Sequence, residues 1–300
     1  MIKDNIVFLK DKFLSPEEAK ISILSPTSQY GLNVFEGIRC YMSKETLNLY
    51  AFRLNDHIDR LYNSARSINL VPNYTKLDVV KYFKEVVLKN SFKSDIIVRL
   101  FFYVEDQGSW GKNYDVNLFI SPISKERAYE DKSSVELYLS SIERINEKSM
   151  SPKIKTGANY MNSRLAHIEA VENKFDTALL LDNKGFISES TGSTIFLVKN
   201  NKLFTPSLDS SILDSITRKS IIELADKLHN IETIQKKITK EELYDADEIF
   251  LCGTTIEVFP VQRVCDNYYP VGSVTKLILE SFFSVVRGNN NYFQKWLTKI

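Results

Sequence analysis

Two short segments of the sequence carry residue types that could perform covalent chemistry. The first is Lys155-Thr-Gly-Ala-Asn-Tyr160, and the second is Ile187-Ser-Glu-Ser-Thr-Gly192. Together they offer a primary amine, a phenol, and a carboxylate beside a turn of small residues. A lysine amine must be deprotonated to attack an aldehyde, and a poorly solvated pocket near other cations favours that form. The segments therefore indicate a nucleophilic amine with an acidic partner.

Pyridoxal phosphate is the cofactor that needs these three groups. The amine binds its aldehyde, the phenol lies near the ring oxygen, and the carboxylate meets the ring nitrogen. The pyridine ring is an effective electron sink only when its nitrogen is protonated, so an anionic partner there has a catalytic purpose. Lys153 and Lys155 lie on the same face of an extended segment, so periodicity alone cannot choose between them.

Further motifs, in the same order, resemble the branched-chain amino acid aminotransferases, which are fold-type IV pyridoxal phosphate enzymes (class IV aminotransferases). Residues 34–41 resemble the amino-terminal signature of this family, and residues 57–61 resemble its phosphate-binding H-x-x-R-L motif. Residues 213–218, 252–257 and 285–288 resemble its later blocks. The resemblance covers nearly the whole chain. It implies an α/β (α+β) fold of two domains, with a β-barrel-like core in the larger C-terminal one and the cofactor between them.

The resemblance also implies a role for each matching residue. Lys155, rather than Lys153, forms the aldimine and then carries the proton between the substrate Cα and the cofactor. The implied cofactor-binding residues are Arg60, Lys155, Tyr160, Glu189, Leu213, Ile216, Thr217 and Thr254. The implied substrate-binding residues are Tyr30, Phe35, Arg99, Thr254 and Thr255.

Within that set, the groups divide by the part of the cofactor they bind. Arg60 can hold two phosphate oxygens at once, and backbone N–H groups of Ile216 and Thr217 suit the same anion at a helix start. Tyr160 binds the ring oxygen and Glu189 the ring nitrogen, while Leu213, Thr254 and the substrate residues complete the pocket. Each residue also has a simpler interpretation: a solvated helix arginine, a core leucine, or, for Arg99, a structural salt bridge.

Three departures from the family pattern bear, in turn, on the phosphate site, on the surroundings of the cofactor ring, and on the substrate. Asp214-Ser215 stands where the family has Pro-Gly, Ser193-Thr194 replaces an acidic or amide pair, and Ile97 replaces a tyrosine. An isoleucine cannot donate the hydrogen bond that a tyrosine hydroxyl gives a substrate carboxylate. We expect glutamate/2-oxoglutarate as one substrate pair, with an apolar, branched-chain-like 2-oxo acid as the other substrate. Leucine, isoleucine and valine should be used less well than in typical family members.

Other functions of the same fold are rivals. A D-amino acid transaminase, an aminodeoxychorismate-lyase-type enzyme or an aminotransferase of a specialised biosynthetic pathway would share the same chemistry-bearing residues. A catalytically silent binding protein would need none of them, and Lys155, Tyr160, Glu189 and Arg60 are all present.

Composition favours a cytoplasmic enzyme. The net charge is +1 with 26% charged residues, so long-range attraction to nucleic acid or acidic membranes is not indicated. No apolar run approaches the ~20 residues that span a bilayer. Three scattered cysteines and three isolated histidines predict buried thiols rather than a disulfide framework or a metal site. The resemblance implies a homodimer or larger homo-oligomer.

The elements that must position these residues follow from periodicity. Three hundred residues predict two domains, which we place at 1–122 and 135–300 with a polar linker at 123–134. Apolar residues at helical spacing predict two helices in the first domain, the earlier one with Leu54, Ile58 and Leu61 on its apolar face. Thr75-Lys-Leu-Asp78 resembles a capping box that opens the second helix, with Leu77 on its apolar side. β-rich runs predict strands at 96–104 and 116–120, and Asn200-Asn201 predicts a hairpin turn. A helix after the lysine motif should carry Met161, Leu165, Ile168 and Val171 on one face.

Overall fold

A computed structural model describes residues 5–43, 45–125 and 132–300. The β-strands are β1 (Val7–Leu9), β2 (Lys12–Leu14), β3 (Asn33–Met42), β4 (Leu49–Phe52), β5 (Ile96–Val104), β6 (Val116–Ser124), β7 (Val135–Leu139), β8 (Thr177–Leu181), β9 (Ile187–Ser190), β10 (Thr194–Lys199), β11 (Lys202–Pro206), β12 (Thr233–Lys236), β13 (Glu248–Gly253), β14 (Glu257–Val264), β15 (Asn267–Tyr268) and β16 (Leu297–Lys299). The α-helices are α1 (Pro26–Tyr30), α2 (Leu54–Ser67), α3 (Lys76–Asn90), α4 (Tyr160–Glu172), α5 (Ile216–His229), α6 (Lys240–Tyr244) and α7 (Ser273–Val286). Short 3-10 helices cover Gly157–Asn159 and Asn291–Trp296.

The described residues form two compact units. Those within 1–126, 154–158 and 285–300 form the first unit, and those within 127–153 and 159–284 form the second. Two segments thus differ from the predicted boundaries. Residues 154–158 join the first unit because Thr156 bridges to Val34 on β3, and the chain end joins it because β16 pairs with β4. The predicted linker at 123–134 begins inside β6, and its residues 126–131 lie outside the described part of the chain.

The first unit is a seven-stranded sheet in the order β16-β4-β3-β5-β6-β1-β2. Helices α2 and α3 pack on it, and α2 buries its predicted face, including Leu54, Ile58 and Leu61. Helix α3 begins with the predicted capping box, in which Thr75 and Asp78 satisfy each other's backbone N–H groups. The predicted core position Leu77 is instead 81% exposed, so α3 packs through the neighbouring apolar positions.

The second unit is a nine-stranded, curled sheet with the path β12-β11-β10-β13-β14-β7-β8-β9, and β15 pairs with β14. The mixture of helices and strands in both units confirms the predicted α/β fold class. Asn200 and Asn201 form the predicted hairpin turn between β10 and β11, and both have positive φ, as a tight turn of this kind requires.

Helix α4 faces the sheet with its small residues. Its buried positions are Ser163, Ala166 and Ala170, and the two alanines pack against Ala178 and Leu180 of β8. The face that the large apolar side chains share is therefore the outer one, since they are 39–61% exposed: Met161, Leu165, Ile168 and Val171. Small side chains allow close helix–sheet packing, and they leave the large ones on the outer face.

In the part of the chain that the structure describes, no helix has the length and apolar character needed to cross a bilayer.

Candidate active site

The predicted site residues fall into two groups, one in each unit. Lys155, Arg60, Phe35, Arg99 and Tyr30 belong to the first unit. The remaining predicted residues belong to the second: Tyr160, Glu189, Leu213, Ile216, Thr217, Thr254 and Thr255.

Lys155 is held by the first unit from both sides of its backbone. Its N–H donates to Ser64 Oγ on α2 at 3.1 Å, and its carbonyl accepts from the N–H of Phe35 on β3 at 3.0 Å. The amine Nζ lies 4.8 Å from the centre of the Phe35 ring. Lys153, in contrast, lies in the second unit, is exposed, and pairs with Glu147 at 2.9 Å. Of the two lysines, only Lys155 is half-buried and fixed by its backbone to two elements of the first unit.

A side chain at Gly157, the glycine of the lysine motif, would clash with Asn33. A Cβ on Gly157 would lie 2.8 Å from Asn33 Oδ1, and that same oxygen accepts the Gly157 N–H at 3.2 Å. Thr156 donates its hydroxyl to the Asn33 carbonyl at 2.6 Å. Asn33 thus fixes the segment next to Lys155, although no sequence signal distinguished it from the other asparagines.

Arg60 lies on α2 one turn before Ser64 and makes a two-pronged contact with Glu36 of β3. Its Nε donates to Glu36 Oε1 at 2.6 Å and its Nη2 to Oε2 at 2.8 Å. His57 Nδ1 lies 2.7 Å from Glu36 Oε2. The solvated-arginine interpretation of Arg60 does not hold, because its side chain is only 14% exposed. The sequence analysis assigned no role to Glu36, although it lies within the amino-terminal signature at residues 34–41.

Opposing effects set the pKa values of this cluster. Burial would raise the pKa of Glu36, but the charge of Arg60, with His57 beside it, outweighs burial and lowers it to about 2. Burial lowers the pKa of His57, and the cations Arg60 and Lys155 act in the same direction against the opposing effect of Glu36. At neutral pH we therefore assign His57 as neutral, with Nδ1–H donating to the Glu36 carboxylate.

One face of the first unit's sheet carries aromatic and aliphatic side chains next to an arginine. In the β3–β5 register, Phe35 pairs with Phe101, Gly37 with Arg99, and Arg39 with Ile97. Side chains at alternate positions share a face, so Phe35, Arg99 and Ile97 point the same way. Phe35 and Phe101 stack at 5.4 Å. Arg99 is exposed and forms no ion pair with another residue in the described ranges, so the structural salt bridge considered for it is not supported there.

Glu189 on β9 is the buried acid of the second unit, and its side chain is 8% exposed. Arg144 donates to Glu189 Oε1 from Nε at 3.0 Å, and its Nη2 lies 2.9 Å away from the same oxygen. Leu213 N–H donates to Oε2 at 3.2 Å. Arg144 in turn donates from Nη1 to Asn162 Oδ1 on α4 at 3.0 Å. This network fixes the orientation of the Glu189 carboxylate. The sequence analysis did not identify Arg144 or Asn162, because neither lies in one of the motifs that indicated the site.

The start of α5 can bind an anion. Ser215 caps the helix by accepting the N–H of Arg218 at 3.2 Å, and Ile216 and Thr217 are the first two helical residues. Their N–H groups have no intrahelical acceptor at this position, and the helix dipole favours negative charge there. The Asp214 carboxylate, a possible conflict with phosphate, pairs with Lys219 Nζ at 2.5 Å. Ser215, replacing the family glycine, keeps the helix start intact.

Thr254 follows a close contact within the second unit. A Cβ on Gly253 would lie 3.3 Å from the Gly192 carbonyl oxygen and 3.4 Å from Ser193 Cβ. The turn after Glu189 therefore lies against the strand end that leads to Thr254. Thr254 is half-buried and Thr255 is exposed. Thr194 Oγ1 is buried and has no hydrogen-bond partner within the described ranges.

The two predicted tyrosines are both exposed. Tyr160 begins α4 and is 37% exposed, and Tyr30 ends α1 and is 51% exposed. Each is on the surface of its own unit, so its predicted contact depends on a ligand or another surface.

Comparison with known proteins agrees with the motifs. Residues 33–264 match the family model described as amino-transferase class IV. A probable branched-chain-amino-acid aminotransferase of Aquifex aeolicus is 34% identical to this chain, and the alignment covers 99% of this chain and 97% of that protein. The branched-chain aminotransferase of Thermoproteus uzoniensis with norvaline has a TM-score of 0.94 and 36% identity, covering 98% of this chain and 99% of its own. The T.th. branched-chain amino acid aminotransferase complexed with N-(5'-phosphopyridoxyl)-L-glutamate has a TM-score of 0.92 and 32% identity, covering 99% of both chains.

Proposed function

Since the chain belongs to the class IV aminotransferases, we propose that it is a pyridoxal-phosphate-dependent transaminase for apolar amino acids. It moves an amino group between glutamate/2-oxoglutarate and an apolar, branched-chain-like 2-oxo acid. The observation that carries this proposal is the shared sheet face of the first unit. There an amine, an aromatic wall and a cation lie together as Lys155, Phe35 and Arg99.

Each unit, taken by itself, supplies groups of the kinds that bind pyridoxal phosphate. Lys155 supplies an amine, Arg60 a guanidinium and the start of α5 a pair of N–H groups for an anion. Glu189 supplies an anchored carboxylate. The buried Thr194 hydroxyl, without a partner in the described ranges, adds a polar group that a ligand could satisfy. When bound, the cofactor supplies the electron sink that makes the substrate's Cα–H acidic.

We assign roles to the chain's own residues accordingly. Lys155 Nζ would hold the cofactor through its aldehyde carbon and, as a free amine, would take the proton from the substrate Cα. Glu189 holds the proton on the ring nitrogen, and Tyr160 donates to the ring oxygen. Leu213 packs on the ring. The phosphate ligands are Arg60, Ile216, Thr217 and Thr254.

The substrate residues follow from charge and polarity. Arg99 binds the distal carboxylate of glutamate, while Phe35 and Ile97 offer an apolar surface to the other substrate. Tyr30, Thr254 and Thr255 complete the substrate set. Related enzymes support this division: one is described with norvaline and another with a phosphopyridoxyl-glutamate adduct. Because Ile97 lacks a hydroxyl, leucine, isoleucine and valine should react less efficiently than in typical family members.

Assembly and location are part of the same proposal. A homodimer or larger homo-oligomer would cover the exposed apolar side of α4, where Met161 is 61% exposed and Leu165 50%. The enzyme would act in the cytoplasm, where reduced thiols such as Cys40 and Cys252 persist.

A substrate panel tests the proposal. The purified protein is loaded with pyridoxal phosphate and its visible spectrum is followed on adding each amino acid. Then kcat/KM is measured with 2-oxoglutarate for branched-chain, aromatic, small and D-amino acids. Activity confined to leucine, isoleucine and valine would contradict the argument from Ile97. Activity on D-amino acids alone points to a different enzyme of this fold, and a bound cofactor without turnover points to a silent binding protein.

A paired variant tests the glutamate assignment. Arg99→Gln should raise KM for glutamate by about 10-fold or more, since a charged hydrogen bond is lost, and should leave KM for apolar substrates nearly unchanged. Arg66→Gln, in the last turn of α2, is the control for removing a cation. Equal effects of Arg99→Gln on both substrate classes contradict the assignment.

A further inference from the structure

Glu36 is a buried acid whose three polar contacts all belong to the elements that carry the site. It is fully buried in β3. Both of its oxygens accept from the Arg60 guanidinium, at 2.6 and 2.8 Å, and Oε2 also lies 2.7 Å from His57 Nδ1. The arginine and the histidine lie about one helical turn apart on α2, so one carboxylate joins the helix to the strand at two points.

Glu36 and Arg60 differ in solvent exposure, which shows which side of the ion pair faces outward. The Glu36 side chain has no exposed surface, whereas the Arg60 side chain keeps 14%. The carboxylate therefore lies on the inner side and the guanidinium on the outer side. An arginine has five N–H donors in a rigid plane, and the contact with Glu36 takes one from Nε and one from Nη2. In general, a guanidinium can contact a carboxylate and a second anion through different N–H groups.

A buried ion pair of this kind is a weak source of stability, because removing both charges from water offsets much of their attraction. Its geometric effect is large, since a two-pronged contact fixes both the position and the plane of a guanidinium. With His57 neutral, the three side chains carry no net charge. Glu36 thus reduces the positive charge available to a phosphate while it fixes the group that binds it.

The same strand and helix also hold Lys155. The N–H of Phe35, next to Glu36, donates to the Lys155 carbonyl, and Ser64, one turn after Arg60, accepts the Lys155 N–H. The amine and the guanidinium therefore share one rigid support within the first unit. A cofactor that binds both at once requires them at a fixed separation.

We propose that Glu36 is the positioning residue that orients Arg60 toward the phosphate of the cofactor. The inference rests on the proposed function, because it takes pyridoxal phosphate as the ligand. Positioning outweighs the loss of positive charge, so removing the Glu36 carboxylate weakens phosphate binding even though the site becomes more positive.

The test compares two ligands that differ only in the phosphate. Apoprotein is titrated with pyridoxal phosphate and with pyridoxal, and binding is followed by visible absorbance. Glu36→Gln should weaken binding of pyridoxal phosphate by about 10- to 100-fold and change pyridoxal binding by less than about twofold. Arg60→Met should show the same pattern, and the double variant should be no weaker than Arg60→Met alone. Glu248→Gln is the matched control, because Glu248 is also buried, at 7% exposure, and caps α7 in the second unit.

Several results of the binding experiment would overturn the proposed role of Glu36. Equal losses for the two ligands, or unchanged or tighter binding of pyridoxal phosphate by Glu36→Gln, overturn the positioning role. If Glu36→Gln does not fold, Glu36→Asp keeps the charge but withdraws it by one methylene, and the same selective loss is expected. Failure of the wild-type protein to bind pyridoxal phosphate overturns the proposed function and this inference with it.

Discussion

Arg144 provides the sharpest test of how the acid of the second unit is held. Arg144→Met keeps the length of the side chain and removes its N–H donors. Glu189, whose side chain is 8% exposed, then keeps only the Leu213 N–H at 3.2 Å among the contacts described above. Removing one partner of a buried pair costs about 3–5 kcal/mol, because the other charge stays buried. Both side chains keep slight exposure, so we expect the lower end, about 3 kcal/mol.

The expected loss translates into melting temperature. For a domain of about 150–250 residues, a loss of 1 kcal/mol in unfolding free energy lowers Tm by about 2–4 °C. Arg144→Met should therefore lower the Tm of the apoprotein by about 6–12 °C. Glu189→Gln removes the opposite charge. If the two residues form an energetic pair, the double variant is less destabilised than the two single variants together. A coupling of about 2 kcal/mol is expected.

The assay is thermal and urea unfolding of the four apoproteins, since bound cofactor would add its own stabilisation. Arg263 and Glu136 serve as a control pair. They lie 3.2 Å apart with about a quarter of each side chain exposed, and such pairs couple by about 1 kcal/mol or less. Additive effects of Arg144→Met and Glu189→Gln, within about 0.5 kcal/mol, would refute the reasoning. Added pyridoxal phosphate should recover part of the Arg144→Met loss, because a protonated ring nitrogen supplies a cation for Glu189.

Three further predictions concern single groups. Borohydride reduction of the holoenzyme should label Lys155, and Lys155→Ala should abolish transamination while Lys153→Ala does not; peptide mapping and kinetics check this, and a label on Lys153 contradicts it. The pKa of Glu36 is lowered from 4.5 to about 2, so above pH 4.5 the ionised carboxylate favours the folded state by about 3 kcal/mol more than the protonated acid would, and this difference disappears as the pH falls toward 2. Urea unfolding at pH 5 and pH 3 should therefore show a smaller loss for Glu36→Gln than for wild type, and equal losses contradict the pairing. Burial raises the pKa of the Cys40 and Cys252 thiols, so both should resist a thiol reagent until the protein unfolds, and rapid labelling of either in the folded protein contradicts this.

Local signals predicted most of the individual elements. The capping box at Thr75, the Asn200-Asn201 turn and the strand Ile96–Val104 could all be predicted from the sequence, because each depends on neighbouring residues. Helix α4 could also be predicted, but periodicity shows only which residues share a face and not which face is buried. There, small side chains allow the closer approach to the sheet.

The candidate site was predictable where it lies in motifs, and less so where it depends on tertiary contacts. The family register favoured Lys155 over Lys153, and the structure shows why the two differ: their backbones belong to different units. Arg144, Asn162 and Asn33 could not be found from the sequence. Each acts through a partner more than ten residues away, and no local pattern encodes such a pairing.

The pairing of β16 with β4 has a consequence for synthesis on the ribosome. Residues that complete the second unit end at 284, whereas the first unit also needs 154–158 and 285–300. The chain therefore emerges with all of its second unit before the first unit's sheet receives its edge strand. Domains commonly fold in the order of synthesis, but here the first unit must wait for residues made after the whole of the second unit. Until then β4 keeps an unpaired edge, which is a site for mispairing with other nascent chains.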